Sequence, residues 1–304
     1  MIVAKIEVGL ETFARKYLPR KGAMILRMLA FYPRYWLQLY TSKWKYKTVG
    51  NKYPCNIIFV AGLPKSGTTW LEQVLATCGD FSDIYLPEII LYEIKHGDKL
   101  DIELPENIFE RFRKSLAVVK THIRGLPRNV DLLKKSGVRY AVVYRDLRDV
   151  AVSYFFFVRS RSWHPEFKYY SALTVAEGLK VFAERTLEDY SNWIREWRKN
   201  RDPQLSIVIR YEDMLDDPDQ TFANVLRHFC LDGRADALNT VLSKYRPAST
   251  PSDSAQSVQQ QSVHFRKGVK GDWKNHMDNE TKRLYKEKIG GLLMELGYEE
   301  DNQW

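Results

Sequence analysis

The sequence predicts an α/β fold: one domain with a central parallel β-sheet flanked by helices and opened by a P-loop-like strand–loop–helix. Two observations carry this. The apolar, β-branched run NIIFVA (56–61) leads straight into GLPKSGTTW (62–70), a glycine loop that opens a helical stretch. Further along, LAVVK (116–120), VRYAVVYR (138–145) and LSIVIRY (205–211) are short apolar runs separated by helical sequence. Strands buried on both faces and alternating with helices are the pattern of a parallel sheet.

In chain order, residues 1–50 read as a basic, amphipathic helical extension interrupted at Pro19 and Pro33, and residues 51–304 as the catalytic domain. Ile25, Leu26, Met28, Leu29, Trp36, Leu37 and Tyr40 supply the extension's apolar surface. TTWLEQVLATCG (68–79) is a helix stopped by Gly79, and Ser136-Gly137 leads into the strand at 138–145. LRDVAVSYFFFV (147–158) is helical, and residues 173–200 form one long amphipathic helix. In DPDQTFANVLRHFC (217–230), Asp217 and Pro218 occupy the cap and first position of a helix. The stretch 247–263 is polar and proline-punctuated. It is a surface connector or, given the basic cluster that follows, a lid.

Composition excludes several classes. A chain of 304 residues buries a sizeable core, and no apolar run nears the ~20 residues of a membrane span. Lys5, Glu7 and Glu11 break the N-terminal apolar residues, so no secretory core forms. Cys55, Cys78 and Cys230 make no C-x-x-C pair, which argues against a disulfide framework or zinc site and for a reducing, cytoplasmic setting. Residues 1–53 hold eleven Lys/Arg against Glu7 and Glu11, a surplus equal to the whole net charge of +9. The remaining body is neutral, which argues against nucleic acid as a partner. The basic segment suits peripheral contact with an anionic membrane. It also suits helices that cap the protein's own core with their charges solvated.

Four segments carry candidate chemistry. In GLPKSGTTW, Gly62 and Gly67 keep the spacing of a phosphate loop, but Thr68 and Thr69 follow where G-K-[ST] puts its lysine. The lysine, Lys65, lies inside the loop. Backbone N–H groups at such a helix start face an anion; the alternative is a solvated turn. Trp70 suits the core or a purine face. VVKTHIRGLPR (118–128) sets Lys120, Thr121 and His122 at a strand's carboxyl end, where α/β folds bind ligands. His122 is a general base or a structural histidine. YRDLRDVAVSY (144–154) offers Arg145 and Ser153 to a second phosphate, or is a salt-bridged helix start with Asp146, Arg148 and Asp149. FRKGVKGDWKN (265–275) gathers Arg266, Lys267, Lys270 and Lys274 around Gly268 and Gly271, an anion site or a solvated basic turn.

In this order and spacing, GLPKSGTTW, KTH, YRDLRDVAVSY, YEDM (211–214) and RKGVKGDWKN resemble the cytosolic sulfotransferase family over about residues 53–298. The resemblance implies 3′-phosphoadenosine-5′-phosphosulfate (PAPS) as sulfuryl donor and 3′-phosphoadenosine-5′-phosphate (PAP) as product. It implies that Lys65, Ser66, Gly67, Thr68 and Thr69 hold the 5′-phosphosulfate, and that Trp70 and Tyr211 contact adenine. Arg145, Ser153 and the Arg266-Lys267-Gly268 turn would hold the 3′-phosphate. His122 matches the catalytic base and Lys120 its companion, while Ser243 is the nearest counterpart of a further adenine contact. The family's dimerisation segment is altered here, at Asp278-Asn279 and Arg283, which leaves the oligomeric state open. The resemblance does not reach residues 1–50.

A sulfuryl group carries one negative charge where a terminal phosphoryl carries two, so lysines and backbone donors suffice without a metal. An acceptor hydroxyl attacks sulfur in line, His122 takes its proton, and Lys65 stabilises the leaving phosphate. By family analogy, Ser153 restrains Lys65 until the acceptor arrives. The rival from the same loop is an ATP- and Mg²⁺-dependent phosphotransferase with Asp146 or Asp149 as metal ligand, which the missing G-K-[ST] opposes. A non-catalytic membrane adaptor is a third reading, opposed by the Lys65, Lys120 and His122 set. The acceptor is a small hydroxyl compound. Phe155, Phe156, Phe157, Tyr85, Trp163, Tyr169 and Tyr170 line an apolar acceptor pocket or belong to the core.

Overall fold

The computed structural model describes Leu18 and residues 20–96, 100–161, 164–231, 235–245 and 267–304. Pro19, Trp163, Arg266 and the expected lid at 247–263 lie outside the described residues.

Helix α1 (Arg20–Val49) leads the described chain. The break expected at Pro33 does not occur. Proline removes one helical N–H, but contacts beyond it hold the helix on the sheet edge. Tyr35 is buried, Arg34 pairs with Asp83 at 3.3 Å, Leu116 N–H donates to the Ser42 carbonyl at 3.0 Å, and Lys45 reaches the Phe81 carbonyl at 2.9 Å.

Next come β1 (Ile57–Gly62), α2 (Thr68–Cys78), β2 (Ser82–Ile84), α3 (Pro87–His96), α4 (Ile108–Arg111) and β3 (Ala117–Thr121). After α5 (Pro127–Lys135) follow β4 (Tyr140–Tyr144), α6 (Leu147–Arg159), α7 (Phe167–Tyr170), α8 (Val175–Arg185) and α9 (Leu187–Asn200). The chain continues through β5 (Ser206–Arg210), α10 (Tyr211–Asp216), α11 (Pro218–His228), α12 (Ala235–Tyr245) and α13 (Asn279–Glu295). The expected single helix over 173–200 is therefore two. Thr186 leaves helical geometry at φ −132°, which lets Phe182 and Tyr190 both pack edge-on against Tyr154, at 5.2 and 6.3 Å.

The five strands form one parallel sheet in the order β2-β3-β1-β4-β5. Alternation along β1 builds both cores: Ile57, Phe59 and Ala61 join the cluster that includes α6, α8 and α9 residues, while Ile58 and Val60 join the α2, α11 and α12 side. All six β1 residues are buried, as the unbroken apolar run predicts. From β1 the chain builds β2 and β3 on one side, then crosses to β4 and β5 on the other. The carboxyl end of β1 is thus the switch point, where a parallel sheet opens a crevice for ligands. Helix starts follow local chemistry: Asp146 caps α6, Asp217 caps α11 ahead of Pro218, and Thr174 with Glu177 forms a capping box on α8. Asp278 caps α13 by accepting the Thr281 N–H at 2.7 Å.

Candidate active site

The glycine loop occupies the switch point between β1 and α2. Two glycines are required there by space. A Cβ on Gly62 would lie 1.7 Å from Thr68 Cγ2, and one on Gly67 would lie 2.4 Å from the Tyr211 ring. Gly67 also stands at φ +76°. Lys65 adopts the left-handed region too, at φ 68°, a conformation imposed on a lysine only by its surroundings. Its ammonium lies 3.9 Å from the Phe157 ring centroid on α6. Ser153 is half-buried one turn earlier on that helix, on the same face. Ser66 is buried and its hydroxyl has no partner among the described residues.

β3 delivers Lys120, Thr121 and His122 to the same edge. His122 Nδ1 lies 2.5 Å from the Gly62 carbonyl oxygen. A carbonyl only accepts, so Nδ1 carries the proton and Nε2 is the lone-pair nitrogen of the neutral ring. Trp193 Nε1 donates to the carbonyls of His122 and Ile123 at 3.0 and 2.7 Å, and Trp197 Nε1 donates to Ile123 at 3.1 Å. These two indoles hold the strand's exit in place. Lys120 donates to Glu72 at 2.8 Å, Thr69 at 3.2 Å and Tyr85 at 3.3 Å, and Tyr85 donates to Glu72 at 3.0 Å. Burial by itself would lower the Lys120 ammonium, but the Glu72 carboxylate and Tyr85 outweigh it and hold it above the ordinary lysine value.

Arg145, at the end of β4, ties three parts together. It donates to the Val269 carbonyl at 2.6 Å, pairs with Asp149 at 3.3 Å, and lies 4.3 Å above the Tyr211 ring. Its Nε is buried without a partner among the described residues. Asp149 accepts the backbone N–H groups of Gly271 and Trp273 at 2.7 and 3.0 Å, which fastens the basic turn to α6. Burial pushes the Asp149 carboxyl up, against the pull of Arg145. Within the turn, Gly268 stands at φ +66°, Lys267 pairs with Asp272 at 2.9 Å, and Lys270 pairs with Asp216.

The sequence-predicted residues therefore converge, with distinctions. Lys65, Ser66, Gly67, Lys120, His122, Arg145 and Tyr211 meet around the switch point, and Thr68 and Thr69 open α2 there. Trp70 is fully buried against Phe222, at 5.1 Å, with its indole N–H unpartnered among the described residues. Ser243 lies on α12 and donates to the Thr240 carbonyl at 2.9 Å. Phe155 and Tyr170 are core residues, and Tyr169 is an exposed ring beneath Arg185. Phe157 and Tyr85 instead touch the two lysines. Asp146 and Asp149, the metal ligands of the phosphotransferase reading, are engaged within the protein: Asp146 caps α6 and pairs with Arg148 at 2.7 Å.

The sequence did not single out Glu72 or Trp193; it offered Tyr85 only as a pocket or core aromatic, and Asp149 only as part of a salt-bridged helix start or as a metal ligand of the phosphotransferase reading. Glu72 carried a signal, as a carboxylate between Leu71 and Val74 on a helix's apolar side must find a partner. A nucleotide with anions at both ends fits this arrangement. Ser66 Oγ and Arg145 Nε are buried with no partner among the described residues, polar atoms that such a ligand's anions would match.

Fold and site define an α/β transferase built to hold a phosphorylated nucleotide at the switch point of its sheet. Residues 56–297 match the sulfotransferase domain family, and the chain belongs to that family. Among curated relatives, Sulfotransferase 1 family member D1 of Rattus norvegicus is 29% identical over 245 residues, covering 72% of this chain and 77% of its own length. The crystal structure of mouse sulfotransferase SULT7A1 complexed with PAP shares the fold at a TM-score of 0.55 and 20% identity, over 85% of this chain and 95% of that one. Retinol dehydratase in complex with androsterone and inactive cofactor PAP does so at 0.54 and 18%, over 83% and 85%.

Proposed function

We propose that this sulfotransferase transfers the sulfuryl group of PAPS to the hydroxyl of a small, apolar acceptor, with His122 as the base. The observation that carries this reading is the His122 Nδ1–Gly62 hydrogen bond of 2.5 Å. It holds the ring at the mouth of the glycine loop and leaves Nε2 as the proton acceptor. PAP in the fold neighbours, with androsterone alongside in one of them, supports both halves of the pairing.

Bound PAPS supplies a sulfuryl group on a phosphate leaving group. Lys65, Ser66, Gly67, Thr68 and Thr69 hold its 5′ end through lysine, hydroxyl and backbone donors. Tyr211 would contact the adenine, Trp70 stays packed in the core against Phe222, and Arg145, Ser153, Lys267 and Gly268, with Arg266, would receive the 3′-phosphate. His122 Nε2 takes the proton of the acceptor hydroxyl. Lys65 neutralises charge at the leaving oxygen, a role worth roughly 3–4 kcal/mol for a preorganised donor. Ser153, on the α6 face that meets Lys65, restrains the lysine. Lys120, kept charged by Glu72, stands beside the base. Phe157 and Tyr85 give the acceptor apolar walls. A sequence with three cysteines and no C-x-x-C pair suits a reducing, cytoplasmic setting.

The test is transfer from labelled PAPS to phenols, sterols and hydroxylated lipids, in EDTA. Turnover should persist in EDTA, and His122→Ala should abolish it while calorimetry still detects PAP binding. Loss of turnover in EDTA with rescue by Mg²⁺, or an active His122→Ala, would overturn the assignment.

A further inference from the structure

Helix α1 has two faces with different fates. Its inner face belongs to the protein: Tyr35 is buried, Arg34 pairs with Asp83 and lies 5.2 Å from the Tyr85 ring, and Lys45 reaches the Phe81 carbonyl. Its outer face carries Ile25, Leu29, Trp36, Tyr40 and Trp44, exposed by 59, 66, 62, 71 and 57%. Their three- and four-residue multiples put them on one side of the helix, a stripe about 30 Å long at ~1.5 Å per residue. Isolated exposed apolar residues need no explanation, but a continuous aromatic stripe marks an interaction surface.

Charge identifies the partner. The helix holds Arg20, Lys21, Arg27, Arg34, Lys43, Lys45 and Lys47 and no Asp or Glu. Lys43 and Lys47 are exposed and follow Trp36 and Tyr40 by seven residues each, which sets them along the same stripe. Packing this face against a second copy would oppose two cationic helices with no carboxylate between them. An anionic lipid surface meets both features at once, because tryptophan and tyrosine settle at the headgroup level while lysines meet lipid charge. No helix among the described residues is long and apolar enough to cross a membrane, so the helix lies on the bilayer.

We infer that the outer face of α1 is a peripheral docking surface for a bilayer bearing anionic headgroups. It is independent of the sulfuryl-transfer reading and stands or falls by its own measurement. The full chain is co-sedimented with vesicles of phosphatidylcholine alone and of phosphatidylcholine with about a third phosphatidylserine, at low and high salt. Binding should be roughly tenfold or more stronger to the anionic vesicles and should be lost at high salt. Trp36→Ala with Trp44→Ala should weaken it roughly tenfold, and Lys43→Glu with Lys47→Glu should remove the preference for anionic lipid. Both variants change exposed side chains, so the thermal midpoint should match the parent. Equal affinity for neutral and anionic vesicles, or binding indifferent to both variants, overturns the inference. So does a concentration-dependent dimer that Trp36→Ala dissolves while vesicles bind nothing, since that assigns the face to a second copy.

Discussion

The carboxylate of Asp149 accepts the backbone N–H of Gly271 at 2.7 Å, so a residue of α6 holds a turn 122 positions further along the chain. It also pairs with Arg145, itself bonded to the turn at Val269. Breaking such a buried pair typically costs about 3–5 kcal/mol. Asp149→Ala should lower stability by about that amount and weaken PAP binding at least tenfold, because Arg145 and the basic turn lose their common anchor. Denaturant melts and calorimetry check both. A variant as stable as the parent, with unchanged PAP affinity, would mean the turn is held by other contacts.

Lys120 and Glu72 are 9% and 2% exposed. Because the folded Lys120 lies above its ordinary value, its stabilising contribution is fully present below about pH 10 and is lost only as pH rises past the folded value. Glu72→Gln should therefore reduce stability by a constant amount from neutral pH to about pH 10, with the gap closing in stronger alkali. Thermal midpoints of parent and variant across that range supply the comparison. A gap that opens only above pH 10 would reverse the sign and refute the pairing.

At Gly67 both backbone and space exclude a side chain, with φ +76° and the Tyr211 ring 2.4 Å from an added Cβ. Gly67→Ala should cost at least about 1–2 kcal/mol from the left-handed backbone alone. It should also displace Tyr211 and weaken PAP binding. Adding Tyr211→Ala should recover part of the stability but none of the affinity, a non-additive pattern readable in a double-mutant cycle. Full additivity would count against the contact.

Trp193 Nε1 donates to the backbone carbonyl of His122 at 3.0 Å. Trp193→Phe keeps an aromatic ring in the core while removing one donor shared by His122 and Ile123, a loss of about 1–3 kcal/mol. If the indole positions His122, kcat should fall with PAP affinity unchanged. Equal losses in both would assign Trp193 a purely structural role.

The glycine loop was legible before any coordinates because its geometry is local. Within residues 56–70 lie the β-branched run, two glycines where side chains clash, and the helix start that directs N–H groups outward. The strand ends that carry His122 and Arg145 were readable for the same reason, since an apolar run that stops at a polar residue marks the sheet's edge. Helix ends resisted. Nothing near Thr186 signals a break, and Pro33 signals one that packing beyond it overrides. The three-residue β2 lacks the length to show a period.

Which charges answer one another is a different kind of fact. Glu72 lies 48 residues from Lys120 in sequence and Tyr85 35, while Asp149 reaches across 122 to the basic turn. No periodicity links such positions; the strand order β2-β3-β1-β4-β5 and the helices laid over it bring them together. A buried charge must be met by whatever the fold sets beside it, because leaving it unpaired in a low dielectric costs several kcal/mol. Residue type and spacing therefore marked the glycine loop and the strand end that carries His122. The partners that keep Lys120 charged, orient His122 and fasten the basic turn came from the packing of distant segments.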